Sequence, residues 1–413
     1  MMSEDEIYDL IVIGGGAAGY FGAISAAEGA PWSRVLILEK TGEVLTKVKI
    51  SGGGRCNVTH ACFEPGELVR YYPRGGKSLI GPFHRWDAAD TAEWFTDRGV
   101  KLKTESDGRM FPVTDDSRTI INCLKRAAET SGVETCLKAE VEGLEYDEGN
   151  WKIELKSGKQ LQSRAVLLAT GGTRNNAGVK LAGDLGHTLV AAAPSLFTFK
   201  INDSRLEDLA GISVAQATAS IPAIKTRTEG ACLITHWGLS GPTVLKLSAH
   251  GARELAELDY QFEVIINWCG LNEPQLLEIL AHSRAESPKK RVRSGVSDLP
   301  IPGRLWQRLV DHAQIGEDIT WANLSKAGRH ALVRNLLACR FKVDGKSMNK
   351  EEFVTAGGVD LKEVNFKTME SRVHAGLFFA GEVLDIDGVT GGFNFQAAWT
   401  TARIAGESAV GVS

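Results

Sequence analysis

Apolar residues in this chain gather in short runs that break at glycines, and three such breaks set the frame. Tyr8-Asp9-Leu10-Ile11-Val12-Ile13 is β-branched and nearly unbroken, the pattern of a buried strand. Gly14-Gly15-Gly16-Ala17-Ala18-Gly19 follows, and the small residues from Tyr20 to Glu28 predict a helix that stops at Gly29. A second strand, Arg34-Val35-Leu36-Ile37-Leu38, ends in Glu39. A further run, Arg164-Ala165-Val166-Leu167-Leu168, meets Ala169-Thr170-Gly171-Gly172. The last, Gly376-Leu377-Phe378-Phe379-Ala380, meets Gly381-Glu382 and continues through Asp385 to Gly388. Gly391-Gly392-Phe393-Asn394-Phe395-Gln396 then opens an apolar helix, Ala397 to Ala405.

Between these breaks the periodicity changes. Residues 135 to 168 alternate as three short strands with turns at Asp147-Glu148-Gly149-Asn150 and Ser157-Gly158, which predicts a β-meander. Segments 274 to 284, 303 to 315 and 321 to 339 repeat at helical spacing. Lys289-Lys290-Arg291-Val292-Arg293, within a Ser- and Pro-containing stretch from 283 to 302, reads as a solvated linker between them.

The first break carries chemistry. Strand, G-x-G-x-x-G, helix, second strand and terminal acid, in this order, form the dinucleotide-binding fingerprint. Gly14 permits the tight turn, Gly16 lets a pyrophosphate approach the backbone, and Gly19 brings the helix against the strand. Glu39 suits the two hydroxyls of an adenosine ribose and repels a 2′-phosphate, so NADP is not expected here. The fingerprint alone does not separate FAD from NAD. The later breaks do, because an NAD domain needs none of them and the flavin and ribityl chain extend far beyond the ADP half. Gly381, Glu382 and Asp385 can hold the ribityl and pyrophosphate region. A helix opening at Gly391 and Gly392 points its positive end at the flavin pyrimidine edge. FAD is the expected cofactor.

Bulk composition narrows the setting. The 413 residues are 43% hydrophobic and 24% charged with a net charge of −4, which argues against a general nucleic-acid or membrane binder. The acidic start lacks the layout of a secretory signal, and no apolar stretch reaches the roughly 18 residues of a bilayer span. Seven scattered cysteines fit free thiols in a reducing compartment, so a cytoplasmic protein is expected, with a small-molecule substrate and neither nucleic acid nor membrane as partner. No histidine or cysteine spacing suggests a metal site.

GGGAAG, ISGGGRCNVT, ATGG, LITHWGLSGP, TMES and GEVLDIDG followed by GGFNFQ together resemble the BaiN/YhiN-like family of NAD(P)/FAD-dependent oxidoreductases, which includes aminoacetone-oxidase-like flavoproteins. The resemblance implies an α/β fold: a Rossmann-type, glutathione-reductase-like FAD domain with a parallel sheet and meander, split by an inserted β-rich domain with a helical subdomain. Expected boundaries are 1–190 and 345–413 for the FAD domain and 191–344 for the insert, with the helical part at about 271–340. It also implies that Ser51-Gly52-Gly53-Gly54-Arg55-Cys56-Asn57 lies against the flavin. Arg55 would neutralise charge there and Asn57 would bond ring edges or substrate. Further cofactor contacts implied are Ala17, Ala18, Lys40, Lys47, Val141, Thr170, Gly171, Gly172, Phe393, Asn394 and Gln396. The loop Thr173 to Lys180 is shorter than the family pattern, though Leu185-Gly186-His187 is retained.

The expected activity is hydride transfer between a small organic substrate and flavin N5, with electrons passing to oxygen or another acceptor. An NAD(P)H-dependent reductase of a small unsaturated substrate and an FAD-binding sensor without turnover are the alternatives. On the substrate side, His236 and Ser240 sit on a Gly/Pro-bounded turn and can move protons, though a satisfied structural histidine accounts for them equally. Arg109 can meet an anionic substrate, or lie in a solvated loop. Cys56 and Cys62 are too far apart in sequence for the helical redox pairs of disulfide reductases, so Cys56 is expected to be a packing residue.

Overall fold

The computed structural model describes residues 7–172, 177–347 and 354–412. The chain forms two compact units, Met1–Pro194 with Lys350–Ser413, and Ser195–Asn349.

The first unit is built on a parallel sheet. Strands Leu377–Phe379, Gln160–Leu168, Ile7–Ile13, Val35–Glu39 and Glu134–Leu137 lie side by side in that order. Leu10, Ile11, Val12 and Leu36 to Leu38 are essentially inaccessible, as expected of parallel strands covered on both faces. The meander differs from the sequence pattern in one respect. Glu134–Leu137 belongs to the parallel sheet, while Val141–Asp147 and Asn150–Leu155 pair antiparallel and lead into Gln160–Leu168. That last strand serves both layers, its start pairing with the meander and its end with Ile7–Ile13.

Helix Ala17–Gly29 is apolar all round and buries ten residues, so it must be enclosed. The C-terminal helix Phe393–Ala409 encloses it. Their backbones touch through glycine: a Cβ on Gly406 would meet the Gly22 carbonyl oxygen at 2.1 Å. Phe21 then reaches Trp94 at 4.8 Å and Trp399 at 5.3 Å between ring centroids. Burial of a side chain this size stabilises by roughly 1.5–3 kcal/mol.

The second unit holds a closed antiparallel barrel. Strands Thr198–Lys200, Gly238–Ser240, Thr226–Thr235, Ser213–Ile221, Gln261–Asn267 and Cys339–Ser347 follow one another around it. Phe199, Val214, Ile234, Leu239, Val264, Phe341 and Val343 fill its interior. Between the fifth and sixth strands, helices Glu273–Glu286, Gly303–His312 and Lys326–Leu337 pack around Leu280, Trp306, Leu309 and Leu336. Among the described residues no helix is long and apolar enough to cross a membrane.

Candidate functional site

The first elements of the site begin at strand ends of the first unit. Gly14 has φ +113°, and a Cβ there would meet the Ala169 carbonyl oxygen at 2.6 Å. Gly19 allows no side chain either, since its Cβ would lie 1.8 Å from the Gly14 oxygen. Gly16, the helix N-cap, faces open space, so an anion can reach the N-terminus of Ala17–Gly29 and its residues Ala17 and Ala18. The Glu39 carboxylate accepts from the Gly15 N–H at 2.8 Å and the Thr41 N–H at 2.8 Å. Those bonds aim it and leave other lone pairs for a ribose. Lys40 is exposed. Val141 is buried at the start of its strand, and nearby Ala139 donates to the Glu39 carbonyl at 2.9 Å.

The neighbouring strand ends supply the next layer. Gly171 has φ +76°, and Gly172 accepts from the Thr355 hydroxyl at 3.1 Å and donates to Glu382 at 3.3 Å. Lys47 pairs with Glu382 at 2.6 Å. The Thr170 hydroxyl is buried against Gly178 and has no partner among the described residues. Thr173 to Asn176, the start of the shortened loop, lie outside the described residues. Gly381 follows its strand at φ +72°, and Asp385 accepts from the Gly357 N–H at 2.9 Å.

The N-terminus of the C-terminal helix is fixed by side chains. Asn57, with its amide oxygen toward Gly392, accepts from that N–H at 2.9 Å and donates to the Thr59 and Met110 carbonyls. Gln396 accepts from the Thr59 hydroxyl at 2.6 Å and donates to the Asp87 carbonyl at 2.9 Å. Asn394 bonds both the N–H and the carbonyl of Gly388. Phe393 stacks on Tyr71 at 4.2 Å and on His60 at 4.7 Å. Asn57 and Gln396, expected at the cofactor, thus use their amides to seat this helix.

The ISGGGRCN stretch is an interrupted helix. Within Thr46–Gly54, Ser51 turns extended and Gly52 and Gly53 turn left-handed, with Gly54 and Cys56 also at positive φ. Gly53 and Gly54 face open space. Arg55 lies over the Phe111 ring at 4.0 Å and pairs with Glu105 at 2.7 Å and Asp115 at 3.5 Å. The Glu105 bond pushes its pKa up further. Arg109 shares Glu105 at 2.8 Å and pairs with Asp107. Cys56 is fully buried and its thiol is pushed up to about 12 by desolvation, so it is inert; Cys62 is likewise a free thiol.

His236 lies in the second unit, exposed on the turn between Thr226–Thr235 and Gly238–Ser240. Ser240 accepts from the Thr198 hydroxyl at 2.9 Å, a barrel contact. Sequence reasoning missed two ties in the first unit. Arg74 makes a bidentate pair with the fully buried Asp387. His187 bonds Glu363 and Ser371, each at 3.0 Å, and burial lowers its pKa. The charge of Asp387 in an apolar run is a signal for the first; nothing local marks Arg74.

Open space at Gly16, Gly53 and Gly54 and the aimed Glu39 fit a long dinucleotide cofactor. The fold agrees. The chain aligns over 99% of its length with 98% of a 3-ketosteroid-Δ4-(5α)-dehydrogenase from Rhodococcus jostii RHA1, at TM-score 0.53 and 18% identity. It aligns over 99% of its length with 79% of a flavocytochrome c3 fumarate reductase, at TM-score 0.51 and 17% identity. In sequence it is 31% identical over 408 residues to an Escherichia coli protein named ribosomal RNA dihydrouridine synthase, covering 96% of each chain. It is 27% identical over 417 residues to a Clostridium scindens protein named 3-dehydro-bile acid Δ(4,6)-reductase, covering 96% of this chain and 98% of that one. The model of the HI0933-like protein Rossmann domain matches residues 8–408, and the chain belongs to that family of FAD-binding Rossmann proteins.

Proposed function

We propose that the protein is an FAD-dependent oxidoreductase that reduces a carbon–carbon double bond conjugated to a carbonyl, and that the bond is the C5=C6 bond of uracil in ribosomal RNA. The observation that carries this reading is full-length similarity to two relatives whose named activities share one chemistry. Forming dihydrouridine and reducing a Δ4,6 3-keto steroid both add a hydride and a proton across an enone-type bond. The nucleic-acid substrate departs from what the composition implies. It is preferred because the relative carrying that name is the more similar of the two over nearly the whole chain.

Bound FAD supplies the two-electron hydride carrier. The chain's residues then have distinct tasks. The helix N-terminus at Gly16 would receive the pyrophosphate, and Glu39 would accept from the ribose hydroxyls. Asn57 and Gln396 hold the N-terminus of the C-terminal helix, whose positive end would favour the negative charge of a reduced flavin. Gly53 and Gly54, with open space beside them, would let a flat ring approach the backbone. A reductase of this kind requires a two-electron donor, and NAD(P)H is the one proposed.

The test is to incubate the purified protein with deproteinised ribosomal RNA and NADPH or NADH, digest to nucleosides, and weigh the uridine. Dihydrouridine, heavier by two hydrogens, is the expected product. Oxidation of the reduced protein by a polycyclic enone, with no dihydrouridine formed, would favour the second reading, a steroid-type reductase. Reoxidation by neither would end both.

A further inference from the structure

The second unit is charged differently from the first. Ser195–Asn349 carries 19 Lys and Arg against 16 Asp and Glu, while the rest of the chain carries 28 against 35. The excess is concentrated. From residue 319 to residue 343 there is no acidic residue, yet the stretch holds Lys326, Arg329, Arg334, Arg340 and Lys342.

The structure also changes the reading of the basic run at 289–293. It is not a free linker. Val292 is buried and donates to the Ile319 carbonyl, Trp321 donates to the Lys290 carbonyl at 3.0 Å, and Ala322 donates to the Pro288 carbonyl at 3.0 Å. Arg291 pairs with Asp318, and Arg293 with Asp311 and Glu317, so half the run is neutralised. Lys289 and Lys290 are exposed and form no ion pair among the described residues.

The same strapping ties the backbone at Pro288 and Lys290 to Ala322 and Trp321, in the segment that leads into helix Lys326–Leu337. Leu332, Val333 and Leu336 face the core, while Lys326, His330 and Arg334 are exposed at successive four-residue steps. At 1.5 Å rise per residue the row is about 12 Å long. Lys326 and Arg334 have no acidic partner among the described residues. Glu286 is the one carboxylate between residues 282 and 291.

We infer that this face of the helical subdomain, formed by Lys289, Lys290, Lys326, His330 and Arg334, is the docking surface for the phosphate backbone of the RNA substrate. The inference rests on the uracil reading above and gives it a means of holding a large substrate. Exposed lysines and arginines without acidic partners, two of them spaced along one helix, suit a row of phosphates. Pairing them releases counterions, so binding weakens steeply with salt. The first unit, with its excess of carboxylates, has no comparable balance of charge.

The test uses the full FAD-loaded protein and a variant carrying Lys289→Gln, Lys290→Gln, Lys326→Gln and Arg334→Gln. These side chains are exposed and unpaired, so unchanged flavin content and melting temperature check that folding is intact. Binding to deproteinised ribosomal RNA is measured across a salt series, and dihydrouridine formation in the same RNA is measured alongside. The variant is expected to bind more weakly, with a salt slope shallower by up to roughly one unit for each phosphate it no longer neutralises. Dihydrouridine formation at limiting RNA should fall with it. Equal affinity and slope in the two proteins would overturn the docking face while leaving the uracil reading intact. Charge-dependent RNA binding without any dihydrouridine would sink the uracil reading and leave the docking face standing. Binding to phosphatidylglycerol vesicles in place of RNA would overturn the docking inference.

Discussion

The turn at Gly14 to Gly19 and the segment from Gly381 to Gln396 are held in place by different means. The first is shaped by steric contact of backbone with backbone: Gly14 against Ala169, and Gly19 against Gly14 itself. Its one side-chain tie, Glu39 to Gly15, joins adjacent strands. The second is held by side chains from far along the chain. Asp387 pairs with Arg74, Asn57 seats Gly392, Gln396 meets Thr59, and Asp385 meets Gly357. A backbone-shaped turn fails when a carbon is added. A segment tied by side chains fails when a partner is removed.

The largest effect is expected at Gly19. Gly19→Val places carbons inside the Gly14 carbonyl, an overlap no rotamer relieves, and should cost more than about 4 kcal/mol, enough to prevent folding. Gly16→Val adds carbons to open space, so that variant should melt near the wild-type temperature but purify without flavin. Thermal melting and flavin content separate the two outcomes. A folded, FAD-free Gly19→Val would mean that the steric account of this turn is wrong.

Next is the side-chain half. Arg74→Met leaves the buried Asp387 carboxylate without its bidentate partner, a loss of about 3–5 kcal/mol. Adding Asp387→Asn should restore part of it, because the uncompensated charge is gone. Urea denaturation of the single and double variants gives both numbers. A single variant as stable as wild type would show that this segment does not depend on its distant partner.

This contrast also explains what can be read from the sequence. The first strand, the glycine turn, its helix and Glu39 are legible because their contacts lie between adjacent elements and demand particular residue types. The helices at 273–286 and 303–312 are legible from periodicity. Arg74 is not, since nothing near it in YYPRGG announces a buried partner over three hundred residues away. Motif position marks Asn57 and Gln396 as important, but not the ties of Asn57 to Gly392 and of Gln396 to Thr59 and Asp87, which join distant parts of the chain. The run at 289–293 reads as a linker because its partners at 319–322 are not adjacent in sequence. Barrel closure is likewise non-local: Thr198–Lys200 pairs with both Gly238–Ser240 and Cys339–Ser347.

A smaller effect tests the backbone-shaped half from the ligand's side. Glu39→Gln keeps the size of the side chain and one acceptor oxygen but removes the charge. FAD affinity should fall by about 1.5–3 kcal/mol, the range for hydrogen bonds to a charged group. Equilibrium dialysis of the deflavinated protein measures it. An unchanged dissociation constant would place the carboxylate away from the ribose, with the Gly15 and Thr41 bonds as its whole role.

The smallest effect concerns Arg55, the one full positive charge on the bare glycine stretch. A lone guanidinium beside a flavin would favour the reduced, more negative form and raise the midpoint potential. Arg55 is not alone: Glu105 and Asp115 lie against it, and Glu105 also serves Arg109. The field reaching the flavin is the sum of the cluster, so removing Arg55 and leaving its carboxylates changes the local charge while the pairs have already cancelled much of it. Arg55→Met should lower the potential by less than about 30 mV, equivalent to roughly 1.4 kcal/mol for a two-electron couple. Glu105→Gln should shift it in the opposite direction, because it frees both arginines. Spectroscopic redox titration of the two variants, with flavin content matched to wild type, reads both signs. A fall well beyond 30 mV in Arg55→Met would mean the carboxylates do not screen the guanidinium. Shifts of the same sign in both variants would mean the cluster acts on the flavin through the shape of the loop and not through its charge.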